Sequence, residues 1–586
     1  MTAPSVTESR DPVDRRLVLG AAGLLRDFNA AGVLEAADVH VAARLAQLCD
    51  EDVDETVTLA VALAVRAVRA GSVCVDLTTV AADSGAPELD WPQPAQWVAA
   101  VRASPLLATP PVLHLEGEGL LYLDRYWREE EQVCVDLLGR LTSTVPAHGP
   151  ALAAALDRVF HRSGSDEQRA AAEVAVTQLT TVLTGGPGTG KTTTVAGLLA
   201  LLTEQAELAG RPALRIALAA PTGKAAARLQ EAVELEIGHL VESDRARLTG
   251  LQAVTLHRLL GSRPDTSSRF RHHRGNRLPH DVIVVDETSM VSLTMMARLL
   301  EAIRPDSRLI LVGDPDQLSS VEAGAVLADL VEGLGGQGRV AALTTSHRFG
   351  HTIGVLAGAI QRGDADAVLE VLHAGGDHVE FVQTADPVDA LREVLMPHAL
   401  AVRAAAARSS TSALAALDEH RLLCAHREGP HGVRRWNQQV QRWLVEHTGE
   451  LIWTDWYVGR PVLVTANDYG LGLYNGDTGV TVLADGMLRV AIAGAAGVVD
   501  FATSRLAEVE TMHAMTIHKS QGSQAGEITV LLPPEDSRLL SRELFYTAVT
   551  RAKHKVRVVG TEAEVRAALA RRVVRATGLR RRLQQS

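Results

Sequence analysis

The sequence predicts an α/β protein with two parallel sheets, a helical segment before them and a small β insertion in the second. Short apolar runs ("TTVLT", "LRIALAA", "HDVIVVDE", "RLILVGD") alternate with helical patterns from about residue 165. Such runs are typical of strands buried on both faces of a parallel sheet. The first of them leads into a glycine-rich loop. A chain of 586 residues also exceeds a single core, so several domains are expected.

The pattern of apolar residues and the glycine content divide the chain into four parts. Residues 1–120 are predicted to form a helical N-terminal domain, because apolar residues recur there at spacings of three and four. Residues 121–344 hold the first α/β domain, entered through a further helical segment. Residues 345–445 and 510–586 are expected to form the second α/β domain. Residues 446–509 are glycine-rich and strand-like, which favours a small β-barrel inserted into it.

Composition excludes several classes of protein. Apolar runs are broken by arginine, as in "TLAVALAVRAVRA", whereas a membrane span needs about 20 apolar residues. The N-terminus "MTAPSVTESRDPVDRR" lacks the apolar region of a secretory signal. The widely spaced cysteines argue against a zinc or iron–sulfur site and for reduced, buried thiols in the cytoplasm. They are Cys49, Cys74, Cys134 and Cys424.

The overall charge of the chain does not indicate a polyanionic partner. The net charge is −12, and most nucleic-acid-binding domains are basic. Two segments run the other way, "RFRHHRGNRLPH" at 269–280 and "RRVVRATGLRRR" at 571–582. Each is either a solvated surface or part of a local groove for a polyanion.

The loop "TGGPGTGKTTT" carries the clearest chemistry. It matches GxxxxGK[ST], follows an apolar strand and opens a helix, which is the context a phosphate-binding loop requires. Lys191 is expected to reach the β- and γ-phosphates of ATP, and Thr192 to hold Mg²⁺. The predicted nucleotide-binding residues of the loop are Gly185, Gly186, Pro187, Gly188, Thr189, Gly190, Lys191, Thr192 and Thr193.

Two later strand ends supply the partners of this loop. The run "VIVVDETSM" ends in Asp286 and Glu287. Asp286 is expected to hold Mg²⁺ and Glu287 to activate the attacking water. The run "LVGDPDQL" places Gln317 where it can sense the γ-phosphate, while its aspartates also suit a turn.

Further motifs resemble those of the superfamily 1B DNA helicases, and among these the RecD family. "SDEQRAAAEVA" resembles the Q motif, "APTGKAAARL" motif Ia and "TLHRLLG" the next DNA-contacting motif. "LTTSHRF", "AMTIHKSQGSQ" and "LFYTAVTRAK" resemble motifs IV, V and VI. The resemblance covers nearly the whole chain and implies RecA-like folds for the α/β domains and an SH3-like barrel for the insertion. The family's motif V usually ends in Gly-Ser-Glu, and here Gln524 replaces the glutamate.

The resemblance implies further roles for single residues. Gln168 would contact adenine, Arg348 the γ-phosphate, and Arg551 would act as an arginine finger. The catalytic set is then Lys191, Glu287, Gln317, Arg348 and Arg551. The implied contacts to single-stranded DNA are Thr222, Lys224, His257, Thr516, His518, Lys519 and Gln521.

The function implied by the resemblance is an ATP-dependent 5′→3′ DNA helicase subunit. Its partners would be RecB-like and RecC-like chains in an exonuclease V heterotrimer, with the nuclease on a partner. Two alternatives stay open, a free-standing single-chain helicase and a regulatory P-loop ATPase that does not translocate. Residues 1–120 either pack on the motor or dock on the RecC-like chain, with Trp91 and Trp97 as candidate anchors.

Overall fold

The computed structural model describes residues 16–49, 52–108, 110–141, 149–263, 266–345, 351–450, 454–468, 470–494 and 497–585. Within these ranges no helix has the length and apolar character needed to cross a membrane. Three of the four cysteines are buried, and Cys49 is partly exposed.

The N-terminal segment is helical, as predicted, but it also contains a small sheet. Its helices are α1 (Gly23–Ala30), α2 (Ala36–Gln47), α3 (Glu55–Arg69), α4 (Val80–Asp83) and α5 (Pro94–Arg102). Its strands, β1 (Cys74–Asp76), β2 (Leu113–Glu116) and β3 (Leu120–Leu123), form an antiparallel sheet in the order β1-β3-β2. Strands of three or four residues are too short to show an alternating pattern, which is why the sequence did not reveal them.

Of the two tryptophans of this segment, Trp97 is a core residue and Trp91 packs against that core while partly exposed. Trp97 is 1% exposed, and its indole Nε1 donates to the carbonyl of Thr56, 2.8 Å away. Trp91 packs edge-on against Phe28, with ring centroids 4.6 Å apart. The expectation that Trp97 anchors a partner is therefore wrong, because this ring fills the core of its own segment. Trp91 is partly exposed, and its role as an anchor stays a prediction.

A helical connection leads into the first parallel sheet. It consists of α6 (Asp124–Leu141), α7 (Gly149–Val159) and α8 (Asp166–Val176). The following strands are β4 (Thr180–Gly185), β5 (Ile216–Ala220), β6 (Ala253–Thr255), β7 (Ser262–Arg263), β8 (Thr266–Phe270), β9 (Val282–Val285), β10 (Arg308–Gly313) and β11 (Val340–Leu343). The intervening helices are α9 (Lys191–Leu208), α10 (Gly223–Gly238), α11 (Glu242–Arg247), α12 (Leu256–Leu260), α13 (Leu293–Ala302) and α14 (Val326–Leu334).

Six of these strands form one sheet in the order β11-β4-β10-β9-β5-β6. Every pairing in it is parallel. The strands β4, β9 and β10 are neighbours, so their carboxyl ends meet at one edge. This edge brings together the glycine-rich loop, the acidic pair and the Gln317 segment, since each follows one of these strands. The remaining strands, β7 and β8, form a separate antiparallel hairpin.

The second α/β region begins after residue 350. Its first elements are α15 (His351–Arg362), α16 (Ala365–Ala374), β12 (Val379–Gln383), α17 (Val388–Ala406), α18 (Ser410–Glu419), β13 (His420–Cys424) and α19 (Val433–Thr448). An antiparallel sheet then interrupts it, with β14 (Pro461–Val464), β15 (Thr478–Ala484), β16 (Met487–Gly494), β17 (Gly497–Ala502) and β18 (Val509–Thr511). This sheet has the order β17-β16-β15-β14-β18, and its closure into an SH3-like barrel stays a prediction.

The chain then returns to complete the second parallel sheet. The returning elements are β19 (Ala514–Thr516), α20 (Ile517–Ser520), β20 (Ala525–Leu531), α21 (Arg542–Val549), β21 (Ala552–Gly560), α22 (Glu562–Ala570) and α23 (Leu579–Gln584). The sheet order is β12-β21-β20-β13-β19, with parallel pairings throughout. The two α/β regions expected from the sequence are thus each built on a parallel sheet.

The C-terminal helix α23 does not pack on the second sheet, although residues 510–586 were predicted to belong to the second α/β domain. Leu579 and Leu583 of α23 are fully buried in the core around the first sheet. The Val73 amide donates to the carbonyl of Ala576 over 2.9 Å. The Arg582 Nε atom lies 3.2 Å from Oε1 of the buried Glu130. The basic run 571–582 therefore includes an arginine that pairs within the protein, which no sequence pattern could show.

Three histidines lie shielded beside β13 and β19. The rings of His398 and His420 are 5.2 Å apart, and His513 Nε2 lies 2.8 Å from the Tyr457 hydroxyl. Burial lowers the pKa of His398 to about 4 and that of His513 to about 3. The nearby cation of Arg421 lowers the pKa of His398 further.

We expect this cluster to make stability depend on pH. The folded-state pKa of His398 lies below its unfolded value of about 6.5. Above that value the imidazole is neutral in both states and the free energy of unfolding is at its full value. As pH falls toward 4 the unfolded chain binds the proton first, so the free energy of unfolding decreases. Thermal melting midpoints recorded from pH 7.5 to 4.5 should fall, and less steeply for His398→Gln. Parallel curves for the two proteins would contradict the assignment.

Candidate nucleotide-binding and hydrolysis site

The glycine-rich loop joins β4 to α9 at the edge of the first sheet. The helix begins at Lys191, so its first-turn amides lack intrahelical partners and favour an anion. Gly190 has a φ of +87°, and a β-carbon there would come within 2.9 Å of the Gln168 amide nitrogen. A side chain at this position would therefore strain the backbone and press on α8.

Two side chains donate hydrogen bonds to backbone carbonyls of the glycine-rich loop. The Lys191 ammonium donates to the carbonyls of Gly185 at 2.6 Å and Gly186 at 2.9 Å. The Gln168 amide donates to the carbonyl of Thr189 at 2.9 Å. Lys191 therefore lies over the loop, where a phosphate would meet it, and Gln168 supports the loop as well as lining the cavity beside it.

The acidic pair lies at the end of β9. Burial and the charge of Glu287 raise the pKa of Asp286, and Lys191 opposes the shift. Glu287 has a φ of +50°, an uncommon conformation for a non-glycine residue that costs on the order of 1–3 kcal/mol. Asp286, Thr192 and Glu287 line the same cavity. A carboxylate and a hydroxyl are ligands that Mg²⁺ accepts, and a cation would relieve the repulsion within the pair.

A chain of hydrogen bonds joins the two sheets at this cavity. The Gln317 amide nitrogen donates to Asp314 Oδ2 at 2.9 Å. Arg551, which follows α21, donates from Nη2 to Gln317 Oε1 at 3.0 Å and from Nε to the carbonyl of Thr547 at 3.1 Å. Asp314 is 1% exposed and Arg551 is 3% exposed. Arg551 thus reaches from the second α/β region to a residue that follows a strand of the first.

Tyr546 is a functional candidate that the sequence reading missed. Its hydroxyl donates to Asp314 Oδ2 at 3.0 Å, and a β-carbon at Gly186 would lie 3.1 Å from it. Burial and the Asp314 charge raise the pKa of Tyr546, so the phenol stays protonated and donates. Its position immediately before the threonine-alanine pair of motif VI is plain in the sequence, but no sequence pattern indicates that it faces the phosphate-binding loop.

The segment after Gln317 is bonded to the second α/β region at two further points. The Leu318 amide donates to Thr547 Oγ1 at 2.9 Å. The Gln521 amide nitrogen donates to the Leu318 carbonyl at 2.7 Å. Both backbone groups of one residue are therefore satisfied by side chains of the opposite region, which fixes how the two regions meet.

Arg228 of α10 makes a further cross-region contact at the cavity. Its guanidinium donates to the carbonyl of Gly522 at 2.8 Å and to Gln524 Oε1 at 3.1 Å. The sequence reading did not single out Arg228, although it stands in the predicted motif Ia. Its partner Gln524 is the residue that departs from the family pattern.

Arg348 lies outside the described residues. The described segment just before it is anchored by Glu167, which accepts hydrogen bonds from the amides of Thr344 at 2.8 Å and Thr345 at 3.0 Å. The Thr344 hydroxyl also donates to Glu167, and this bond, together with those from the amides and the Thr345 hydroxyl, lowers the pKa of Glu167 to about 2. Glu167 therefore ties the start of motif IV to the helix that carries Gln168.

Most of the predicted nucleotide residues line one cavity of about 510 Å³: Gln168, Pro187, Gly188, Gly190, Lys191, Thr192 and Thr193. Gly185, Gly186 and Thr189 are not among its lining residues. It is lined by both α/β regions, because Gly522, Gln524 and Arg551 contribute to the same wall as the loop. The residues from the first region that carry chemistry are Gln168, Lys191, Thr192, Arg228, Asp286, Glu287, Asp314 and Gln317. A composite cavity of this kind suits a nucleoside triphosphate whose phosphates meet cations from both sides.

The residues expected to contact DNA lie at three strand ends. The hydroxyls of Thr222, Thr255 and Thr516 each accept from an amide of the helix that follows, at 3.2 Å in every case. His257 is exposed, and Thr222, His518 and Lys519 are partly exposed. The threonines therefore shape the turns that present the neighbouring basic residues.

Three of these seven residues are more enclosed than expected. Thr516 is 8% exposed. Gln521 is 7% exposed and bonds to Leu318, as described above. Burial and the cation of Arg421 lower the pKa of Lys224 to about 7, and its ammonium has no hydrogen-bond partner within the described ranges. In this conformation the Gln521 amide and the Lys224 ammonium lie buried between the regions, while the rest of the Lys224 side chain is partly exposed.

Two parallel sheets that share one phosphate-binding cavity define a two-domain P-loop nucleoside triphosphatase. Three domain families match the chain: the AAA domain over residues 168–323, the UvrD-like helicase C-terminal domain over 511–559, and the N-terminal domain of RecBCD enzyme subunit RecD over 30–120.

Curated relatives match over much greater lengths. RecBCD enzyme subunit RecD of Mycolicibacterium smegmatis is 70% identical over 94% of this chain and 98% of that one. The Mycobacterium tuberculosis subunit is 66% identical over 97% and 98%. The ATP-dependent RecD2 DNA helicase of Deinococcus radiodurans is 31% identical over 80% and 59%. The chain belongs to the RecD family.

We expect Arg551→Ala to bind ATP and to lose turnover. The guanidinium would stabilise charge on the transferring phosphoryl group, and such fingers are worth about 10³–10⁵ in rate. Steady-state hydrolysis would be measured beside the affinity for a fluorescent ATP analogue. Arg566→Ala, at a side chain of α22 that is 52% exposed, is the control. A large loss of affinity with an unchanged kcat would contradict the role.

Proposed function

We propose that this chain is the ATP-dependent 5′→3′ DNA helicase subunit of a cytoplasmic RecBCD-type exonuclease V complex, acting in double-strand-break repair by homologous recombination. The observation that carries the proposal is the position of Arg551. It enters, from the second α/β region, the cavity that holds Lys191 of the first. Hydrolysis would then require both regions at once.

The side chains of the cavity divide the chemistry among them. Lys191 neutralises the β- and γ-phosphates, and Glu287 accepts a proton from the attacking water. Thr192 and Asp286 would hold Mg²⁺, which supplies further neutralisation of phosphate charge when bound. Arg551 stabilises charge that develops on the transferring phosphoryl group. Arg348 is proposed for the same group from motif IV.

The cross-region hydrogen bonds explain how hydrolysis is coupled to movement. Gln317 contacts Arg551 in the cavity, and the next residue, Leu318, is bonded to Thr547 and Gln521. A change at the γ-phosphate therefore alters bonds that set the relative position of the two sheets. Opening and closing of the cleft then moves the strand-end residues of one region relative to those of the other.

Those strand-end residues are proposed to grip single-stranded DNA. Hydroxyls and basic side chains such as His257, His518 and Lys519 bind phosphates without reading sequence. Lys224 and Gln521 would join them only if the regions separate from the arrangement seen here. Alternating grip by the two regions converts cleft closure into stepping along the strand.

Similarity to the relatives favours a complex subunit over a free-standing helicase. The chain is 70% and 66% identical to two RecD subunits and 31% identical to the RecD2 helicase. RecB-like and RecC-like chains are therefore the proposed partners. The exposed apolar residues Val41 and Leu48 lie seven positions apart along α2 and its C-terminal cap, so they share one face. This face is the candidate docking surface.

We expect single-stranded DNA to stimulate ATP hydrolysis by the wild-type chain, and its binding to weaken steeply with salt. Each phosphate contact on a single strand contributes a slope of about −0.7 in a log–log plot. Hydrolysis with and without oligo(dT) and strand displacement on a tailed duplex would be measured, with Lys191→Gln as the inactive control. Hydrolysis that is indifferent to DNA would favour the regulatory ATPase.

We expect Val41→Glu with Leu48→Glu to weaken assembly with the RecB-like and RecC-like chains and to leave DNA-stimulated hydrolysis intact. Charges at the centre of an interface of about 1,600 Å² would be buried without partners. Co-expression and size-exclusion chromatography measure assembly. Leu208→Glu places a charge on an apolar residue that is 52% exposed on the first α/β region and is the control. Wild-type stoichiometry in the double variant would move the docking role elsewhere.

A further inference from the structure

Arg228 occupies a position between the nucleotide cavity and the second α/β region. It lies one turn into α10, and the cavity that it lines also contains Lys191 and Asp286. Both ends of its guanidinium are engaged across the cleft, by the carbonyl of Gly522 at 2.8 Å and by Gln524 Oε1 at 3.1 Å. One side chain thus touches the nucleotide site and the opposite region together.

The loop that accepts these bonds is held closely on both sides. Gly522 has a φ of +66°, and a β-carbon there would lie 3.4 Å from the side chain of Ala225 on α10. On its own side, the Ser523 amide donates to the carbonyl of Ser520 at 2.9 Å. The loop follows directly on Gln521, so one short segment contacts both α10 and the Leu318 backbone of the first region.

The chemistry of the contact makes it responsive to charge. Both acceptors of Arg228 are neutral, and neutral acceptors hold a guanidinium less strongly than a carboxylate does. The same cavity contains the cations Lys191 and Arg551 and the carboxylates of Asp286 and Glu287. The negatively charged phosphates of a bound nucleotide would therefore attract the Arg228 guanidinium and compete with its two neutral acceptors, Gly522 and Gln524.

We propose that Arg228 is a positioning residue, which holds the Gly522–Gln524 loop against the nucleotide cavity and so makes hydrolysis depend on contact between the two regions. The inference rests on the proposed function and deepens it. Arg228 acts through the loop, while Lys191 and its own loop bind the phosphates. Gln524, in place of the glutamate usual in the family, makes this contact easier to release.

We expect Arg228→Gln to lower kcat for DNA-stimulated hydrolysis by about tenfold to a hundredfold, the range that loss of bonds to a charged group predicts. The KM for ATP should change by less than about threefold, because the phosphate-binding loop is intact. Arg228→Lys keeps the charge without the two-pronged geometry and should recover part of the rate. The full chain, ATP and oligo(dT) are the reagents.

A double-mutant comparison tests the path through Gln524. The Gln524→Ala change should lower kcat by itself, and adding it to Arg228→Gln should cost less than about twofold more, because the shared bond is already lost. Gln524→Glu should raise kcat only when Arg228 is present, since only then can an ion pair form. Fully additive losses, or a Gln524→Glu gain without Arg228, would overturn the inference.

Two controls separate this inference from the proposed function. Arg245→Gln makes the same chemical change at an exposed position on α11 and should match the wild type. If the wild-type chain shows no DNA-stimulated hydrolysis, the proposed function fails whatever Arg228 does. If the wild type is stimulated and Arg228→Gln has the same kcat, or has only a raised KM, the inference alone fails. Equal thermal melting midpoints would show that a loss of rate is not a loss of fold.

Discussion

The structure depends on one buried chain of polar groups, which runs from Asp314 through Gln317 to Arg551. A carboxylate and a guanidinium with 1% and 3% exposure would be costly to bury alone, and the amide between them satisfies both. Tyr546 adds a second side-chain donor to Asp314 from the same helix that precedes Arg551. Because the two charges come from different sheets, their burial requires the sheets to meet in one arrangement.

That arrangement explains why the catalytic groups lie at the edge of both sheets. The loop, the acidic pair and the Gln317 segment follow neighbouring parallel strands, so they converge without any special long-range contact. Arg551 and the Gly522–Gln524 loop converge on them because the two regions are bonded to each other, at Gln317, at both backbone groups of Leu318 and at Arg228. The cavity is therefore a product of the contact between regions, and changes in that contact change the cavity.

The C-terminal segment adds a second connection between the parts of the chain. After α22 the backbone leaves the second sheet, and Leu579 and Leu583 enter the core around the first. The buried carboxylate of Glu130 accepts from the Tyr122 hydroxyl, the Thr577 hydroxyl and the Gly578 amide. The N-terminal segment, the first α/β region and α23 thus pack against one another. The chain enters the second α/β region from the first and returns to the first after α22, so the second region is joined to the rest by the backbone at both of its ends.

The sequence by itself determined the alternation of strands and helices, the phosphate-binding loop and the strand-end residues from Asp286 to Gln317, because these depend on local pattern and on the order of neighbouring strands. It did not reveal the short N-terminal strands, the burial of Trp97 or the destination of α23, since each depends on distant packing partners. Only the tertiary structure decided that Arg228 meets Gln524 and that Gln521 bonds to Leu318. Those pairs lie hundreds of residues apart, and no spacing in a chain records which surfaces of two sheets come into contact.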